Sequence, residues 1–142
     1  MKARRFLALA LLIGCSLFAR GGDGLKPSEM KTKDALHAAI TGQLAAFRAN
    51  DYAAAYVFAD QEVKSQLPLD RFERMVKTGY PVIAHSVSAA FGLTFDNGDE
   101  AVVNVRVAGA EESVTYQYSL RREGEAWRIM GVVLLKDQTT EV

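Results

Sequence analysis

The chain has 142 residues, of which 49% are apolar and 24% charged, a composition ordinary for one globular domain with a proper core. Its 17 basic and 17 acidic residues cancel, so no nucleic-acid footprint stands out. A single cysteine, Cys15, excludes an internal disulfide and a Cys-x-x-Cys metal site.

In chain order, "MKARR" places positive charge at Lys2, Arg4 and Arg5, and "FLALALLIG" follows as an apolar run. That run is shorter than the ~20 residues needed for a permanent transmembrane helix. A basic head with a short apolar stretch reads as a secretory signal segment over residues 1–14. Leu12-Ile13-Gly14-Cys15 resembles the bacterial lipobox, in which the thiol takes a diacylglyceryl group and cleavage leaves the cysteine first. Lipidation at Cys15 is the expectation, giving a cell-envelope lipoprotein facing the periplasm and a membrane partner through the lipid. The alternative is ordinary cleavage after Ala19, giving a soluble periplasmic or secreted protein. Removing residues 1–14 leaves 14 basic and 17 acidic residues, a formal charge of −3, which disfavours nucleic acid as a partner. Residues 15–32, broken by Gly21, Gly22, Gly24 and Pro27, read as a flexible tether.

A first helix is expected from about Lys33 to Ala49, with Leu36, Ile40, Leu44 and Phe47 forming one stripe and Thr32 or Asp34 capping its start. Asn50-Asp51 breaks it, and Asp51 caps a second helix over "YAAAYVFAD". A third begins at Leu69-Asp70, buries Phe72, Met75 and Val76, and ends at a left-handed Gly79, with Pro81 blocking continuation.

After Pro81 the apolar period becomes two. Val87, Ala89, Phe91, Leu93 and Phe95 alternate with smaller or polar residues, then Asn97-Gly98 signals a hairpin. Val103, Val105 and Val107 form a second strand. Val114, Tyr116, Tyr118 and Leu120 form a third, and Glu123-Gly124-Glu125 turns the chain into the last strand, "AWRIMGVVLL". Apolar on both faces, that strand is expected to be central or doubly covered. The expected fold is α+β: three N-terminal helices packed on a curved four-stranded antiparallel sheet, spanning residues 33–137, with a tail over 138–142.

Met130, Val132 and Leu134, on the outer parity of the last strand, would make an apolar strip suited to a homodimer. Gly131, on the inner parity, leaves room for a close helix, the preferred reading, or for a small ligand. Tyr56, Phe58, Tyr80, Phe91, Tyr116, Tyr118 and Trp127 are the candidate lining of a ligand cavity, although aromatic residues more often are plain core. Inner strand positions carry no Asp, Glu or His, so acid–base catalysis has only helix and loop candidates. His37 and His85 lack metal-ligand spacing, and no nucleophile elbow, phosphate loop or dinucleotide fingerprint is present. No cofactor or metal is expected.

The order of elements and the closing "WRIMGVVLL" resemble the nuclear transport factor 2-like, cystatin-like superfamily, whose members wrap a sheet around a cone of helices. "GQLAAFRANDYAAAYVFAD", "FERMVKTGYP", "SVSAAFG" and "WRIMGVVLLKD" resemble more closely a bacterial family, domain of unknown function 4864. The resemblance implies export and a cone with a pocket between helices and sheet, and names no activity. Binding of a small apolar ligand or a protein partner is the leading expectation. A cone-pocket lyase or isomerase, using a His or carboxylate with a Tyr, is the alternative, and a structural envelope component is a third.

Overall fold

A computed structural model describes residues 24–135. The signal segment, Cys15, the start of the tether and the 138–142 tail lie outside the described residues.

The first described element is a two-residue strand, β1 (Lys26–Pro27), inside the stretch expected to be tether. Helix α1 (Met30–Arg48) follows, then α2 (Tyr52–Val57), α3 (Gln61–Gln66), α4 (Leu69–Gly79) and α5 (Pro81–Ala84). Strands β2 (Ser88–Asp96), β3 (Glu100–Ala108), β4 (Ser113–Glu123) and β5 (Ala126–Leu134) complete the chain. All five strands pair antiparallel in the order β1-β2-β3-β4-β5. The expectation of three helices followed by four strands is therefore corrected: the helices lie between the first strand and the other four. Long strands cover each alternating stretch. What alternation could not reveal is β1, too short for a period, which pairs Lys26 with Asp96 and Pro27 with Phe95. Proline is tolerated there because the strand is at the sheet edge.

Helical boundaries also differ for local reasons. α1 starts three residues before Lys33, at a Glu29 cap with no side-chain hydrogen bond. Its end is set by Asn50, held in the left-handed region at φ 59°. Asp51 then caps α2, its carboxylate accepting from Ala54 N–H at 3.0 Å. The second helix expected over residues 52–60 stops at Val57, because Phe58–Asp60 turns against β5: Ile129 N–H donates to Phe58 O at 2.7 Å and Asp60 N–H to Ile129 O at 2.9 Å. Asp60 restarts the helix as α3, accepting from Val63 N–H at 2.9 Å. Gly79 does not adopt a positive φ; Pro81, at the first position of α5, marks the break instead.

The core lies between the helices and one sheet face. The α1 stripe Leu36, Ile40, Leu44 and Phe47 is buried against Val103, Val105, Val107 and Leu120. Truncating any of these to alanine would cost about 2–5 kcal/mol. Gly42 lets α2 approach: a Cβ there would come within 2.6 Å of the Phe58 ring.

Two bulges reset the alternation. In β2 the register shifts between Phe91 and Thr94, so Thr94 faces the core and Leu93 turns outward, 66% exposed. In β5 the shift falls around Met130: Ile129 pairs with Leu120, and Val132 pairs with Tyr118. β5 is a sheet edge rather than a central strand, and the Phe58–Asp60 segment covers part of that edge.

Candidate functional site

The amphipathic α4 buries Phe72 and Val76 and walls a space together with β4 and β5. A cavity of about 620 Å³ opens there, a volume suited to a small molecule. Its floor is Tyr118, Ile129, Met130, Gly131 and Val132 from β4 and β5, with Ala59 beside them. Gln43 and Phe47 of α1 close one side, Val63 of α3 and Leu67 another, and Tyr80 and Ile83 the end. The rim is the outer side of α4, where Arg71, Arg74, Met75 and Thr78 stand at spacings of three, one and three, with Gln66 nearby.

The bulge in β5 builds this floor. With strict alternation Met130 and Val132 would face away from the helices. The extra residue swings them toward α4: Met130 is buried at 2% exposure and Val132 is half-buried, and both line the cavity. The expected outer strip is thereby dismantled, leaving only Leu134 well exposed, at 48%. Of the three residues expected to form a homodimer strip, Met130 is buried, Val132 half-buried and Leu134 exposed. Gly131, expected to seat a helix, borders the cavity.

Of the seven aromatic candidates, Tyr80 and Tyr118 meet in the lining. Tyr80 donates to Val132 O at 3.0 Å, tying the end of α4 to β5. The other five are placed in packing around it. Tyr56 donates to Leu67 O at 2.7 Å and packs on Phe72, fixing the turn between α3 and α4. Phe58 fills the space over Gly42. Phe91 stacks on His37 at 4.0 Å between ring centres. Tyr116 packs against Tyr80, and Trp127 belongs to the buried core.

Tyr118 differs from every other tyrosine here. Its side chain is fully buried, and its hydroxyl has no hydrogen-bond partner among the described residues. Burial drives its pKa well above the ordinary tyrosine value, with Tyr116 and Tyr80 adding to the shift, so the group is a neutral phenol. Burial lifts Tyr80 as well, and pushes Tyr116 up to about 12. An orphaned hydroxyl costs about 1–3 kcal/mol in a folded protein.

The histidines are elsewhere. His37 joins α1 to β2, stacked on Phe91 and 3.1 Å from Thr94 Oγ1. Burial, with Lys33 nearby, lowers its pKa. His85 caps the end of α5 and does not line the cavity. Among the described residues no cluster of three His, Cys, Asp or Glu could hold a metal. The charged side chains of the lining are both arginines. No described helix is long and apolar enough to cross a membrane.

Sequence reading missed Met130, Val132 and the α4 rim. The bulge hid the first two. Arg71, Arg74 and Thr78 follow the helical period and had a signal, which went unread because polar residues on an amphipathic helix ordinarily face solvent.

No curated protein and no solved structure matches the chain. The profile of one family, a domain of unknown function designated DUF4864, matches residues 29–142, from the start of α1 through the last strand and beyond. With most of its length inside that match, and the helices and strands that build the cavity all within it, the chain belongs to the DUF4864 family.

Proposed function

We propose that this protein is an exported domain, held to a membrane by lipid on Cys15, that binds a small and mainly apolar molecule in the cavity between α4 and the β4–β5 floor. The observation that carries the reading is an apolar cavity of about 620 Å³ lined by Phe47, Met75, Ile129, Met130 and Val132. Apolar walls with a few placed polar groups are the usual make-up of a small-molecule site. The lining supplies no carboxylate or imidazole among the described residues, which favours holding a molecule over moving its protons. Helices laid on one face of a bulged antiparallel sheet support kinship with the nuclear transport factor 2-like superfamily.

The uncharged fluorophore N-phenyl-1-naphthylamine tests the site. The chain should bind it with enhanced emission at one equivalent. Thr78→Trp, at the exposed rim, should block entry while leaving the circular dichroism spectrum unchanged. Equal binding by the two proteins would remove the cavity from consideration. Export and anchoring are tested by palmitate labelling of the parent and of Cys15→Ala. Label should appear in the parent alone. An unlabelled parent would favour ordinary cleavage and a soluble periplasmic protein.

A further inference from the structure

Three uncharged polar groups of the lining, Gln43, Tyr80 and Thr78, have hydrogen bonds that select among ligands. Gln43 is 4% exposed, stands on α1 and borders the cavity. One of its Nε2 hydrogens is donated to Ala55 O at 3.2 Å, and that acceptor fixes which end of the amide is which. Oε1 takes no hydrogen bond among the described residues, and unlike the Tyr118 hydroxyl it is not sealed from solvent. Tyr80, buried at the end of the cavity, donates its hydroxyl proton to Val132 O at 3.0 Å. Thr78, at the exposed rim, donates its own to Arg74 O at 2.8 Å. A hydroxyl has one proton, and both of these have given it to a backbone carbonyl, so each offers a ligand lone pairs alone. The Gln43 oxygen is an acceptor by nature, and the lining beside it, Phe47 one turn along α1 with Ala59 and Val63, is apolar. A ligand that fills the space strips water from Oε1. Without a proton to give, it leaves a buried acceptor unsatisfied, and a site of this kind rejects the analogue that lacks the donor. An anion fares worse, because it sets lone pairs against lone pairs where no cation stands.

We propose that the cavity selects an uncharged apolar molecule carrying a hydroxyl or N–H group, whose proton is donated to Gln43 Oε1. The proposal rests on the binding reading above and names the ligand class within it. Apolar alcohols, phenols and weakly basic aryl amines belong to that class, while ethers, esters and carboxylates of the same size are disfavoured.

Displacement of N-phenyl-1-naphthylamine from the full chain by three probes of equal size tests it: nonan-1-ol, its isomer methyl octyl ether, and octanoate. Nonan-1-ol should bind about fivefold tighter than the ether, the scale of one net hydrogen bond. Octanoate, ionised and with no proton to give, should bind more weakly than the alcohol at low and at high salt. In Gln43→Met, which keeps the length of the side chain and removes the amide, alcohol and ether should bind alike. Ala55 O keeps the Phe58 N–H at 3.1 Å in that variant, so no backbone acceptor is orphaned. In Tyr80→Phe the preference for the alcohol should persist. The comparison among probes on the parent protein stands even if a variant fails to fold. Equal affinity of alcohol and ether for the parent, or octanoate matching the alcohol, would overturn the selection and leave the apolar cavity standing. Three probes that all fail to displace a bound N-phenyl-1-naphthylamine would overturn it too. A preference lost in Tyr80→Phe and kept in Gln43→Met would overturn the role of Gln43. Absence of N-phenyl-1-naphthylamine binding would remove the cavity reading itself.

Discussion

Tyr118 carries a stability cost, since its buried hydroxyl has no hydrogen-bond partner among the described residues. The alternation of β4 made its inward orientation legible: Val114, Tyr116, Tyr118 and Leu120 share a face, and Tyr118 pairs with Val103 and Val132 on either side. Its missing partner was not legible, because that depends on which residues stand opposite it in the fold. In the unliganded protein Tyr118→Phe should leave stability unchanged or raise it by up to about 1 kcal/mol, since it removes an unsatisfied hydroxyl. Urea unfolding measures this, and a clear loss would mean the hydroxyl already has a partner. Asp60 presents the opposite balance. It is fully buried, caps α3, and stands 3.3 Å from Arg121. Desolvation outweighs the Val63 hydrogen bond and the Arg121 charge, so its pKa rises above the ordinary 3.8. The folded state thus holds this proton more tightly than the unfolded chain, and stability from the protonated form is lost as pH rises from 3.8 through the folded value. Asp60→Asn keeps an acceptor at the cap and cannot ionise. It should gain stability relative to the parent as pH climbs through that window. A relative loss would show that the Arg121 pairing dominates.

At the scale of elements, the sequence spoke clearly wherever a repeat was long enough to read. The α1 stripe and the Asn97-Gly98 hairpin are where spacing and turn chemistry put them; Gly98 has φ 96°, and Asn97 Oδ1 accepts from Asp99 and Glu100 N–H. Interruptions of a repeat are a different matter. A bulge adds one residue without a compositional mark, so the parity of β2 beyond Phe91 and of β5 beyond Ile129 could not be followed. β1 is two residues long, and α3 separates from α2 only because Phe58–Asp60 finds an edge strand in space. The contact of α1 with α2 yields a prediction at this scale. Gly42→Ala would gain helix propensity of about 1 kcal/mol on an open surface. Here it meets the Phe58 ring at 2.6 Å, so the net result should be a loss of about 1–3 kcal/mol, read as a lower melting temperature. Combining it with Phe58→Ala should recover part of the helix gain. An unchanged melting temperature in Gly42→Ala would show that the ring yields freely.

For the whole molecule, the α+β class and the burial of Val105, Tyr118 and Ile129 follow from patterning alone, while the number of strands and the cavity do not. A cavity is a mismatch between surfaces from distant parts of the chain, here α4 against a floor shaped by a bulge. Nothing local encodes such a mismatch. The same mismatch joins fold to function, since a fully collapsed contact between α4 and β5 would close the cavity. The most direct test is a crystal structure of the full chain with N-phenyl-1-naphthylamine. The account predicts density for one molecule between α4 and the sheet, in contact with Met75, Met130 and Val132. Density confined to the outer sheet face around Leu93 and Phe95, with α4 closed onto Val132, would contradict it.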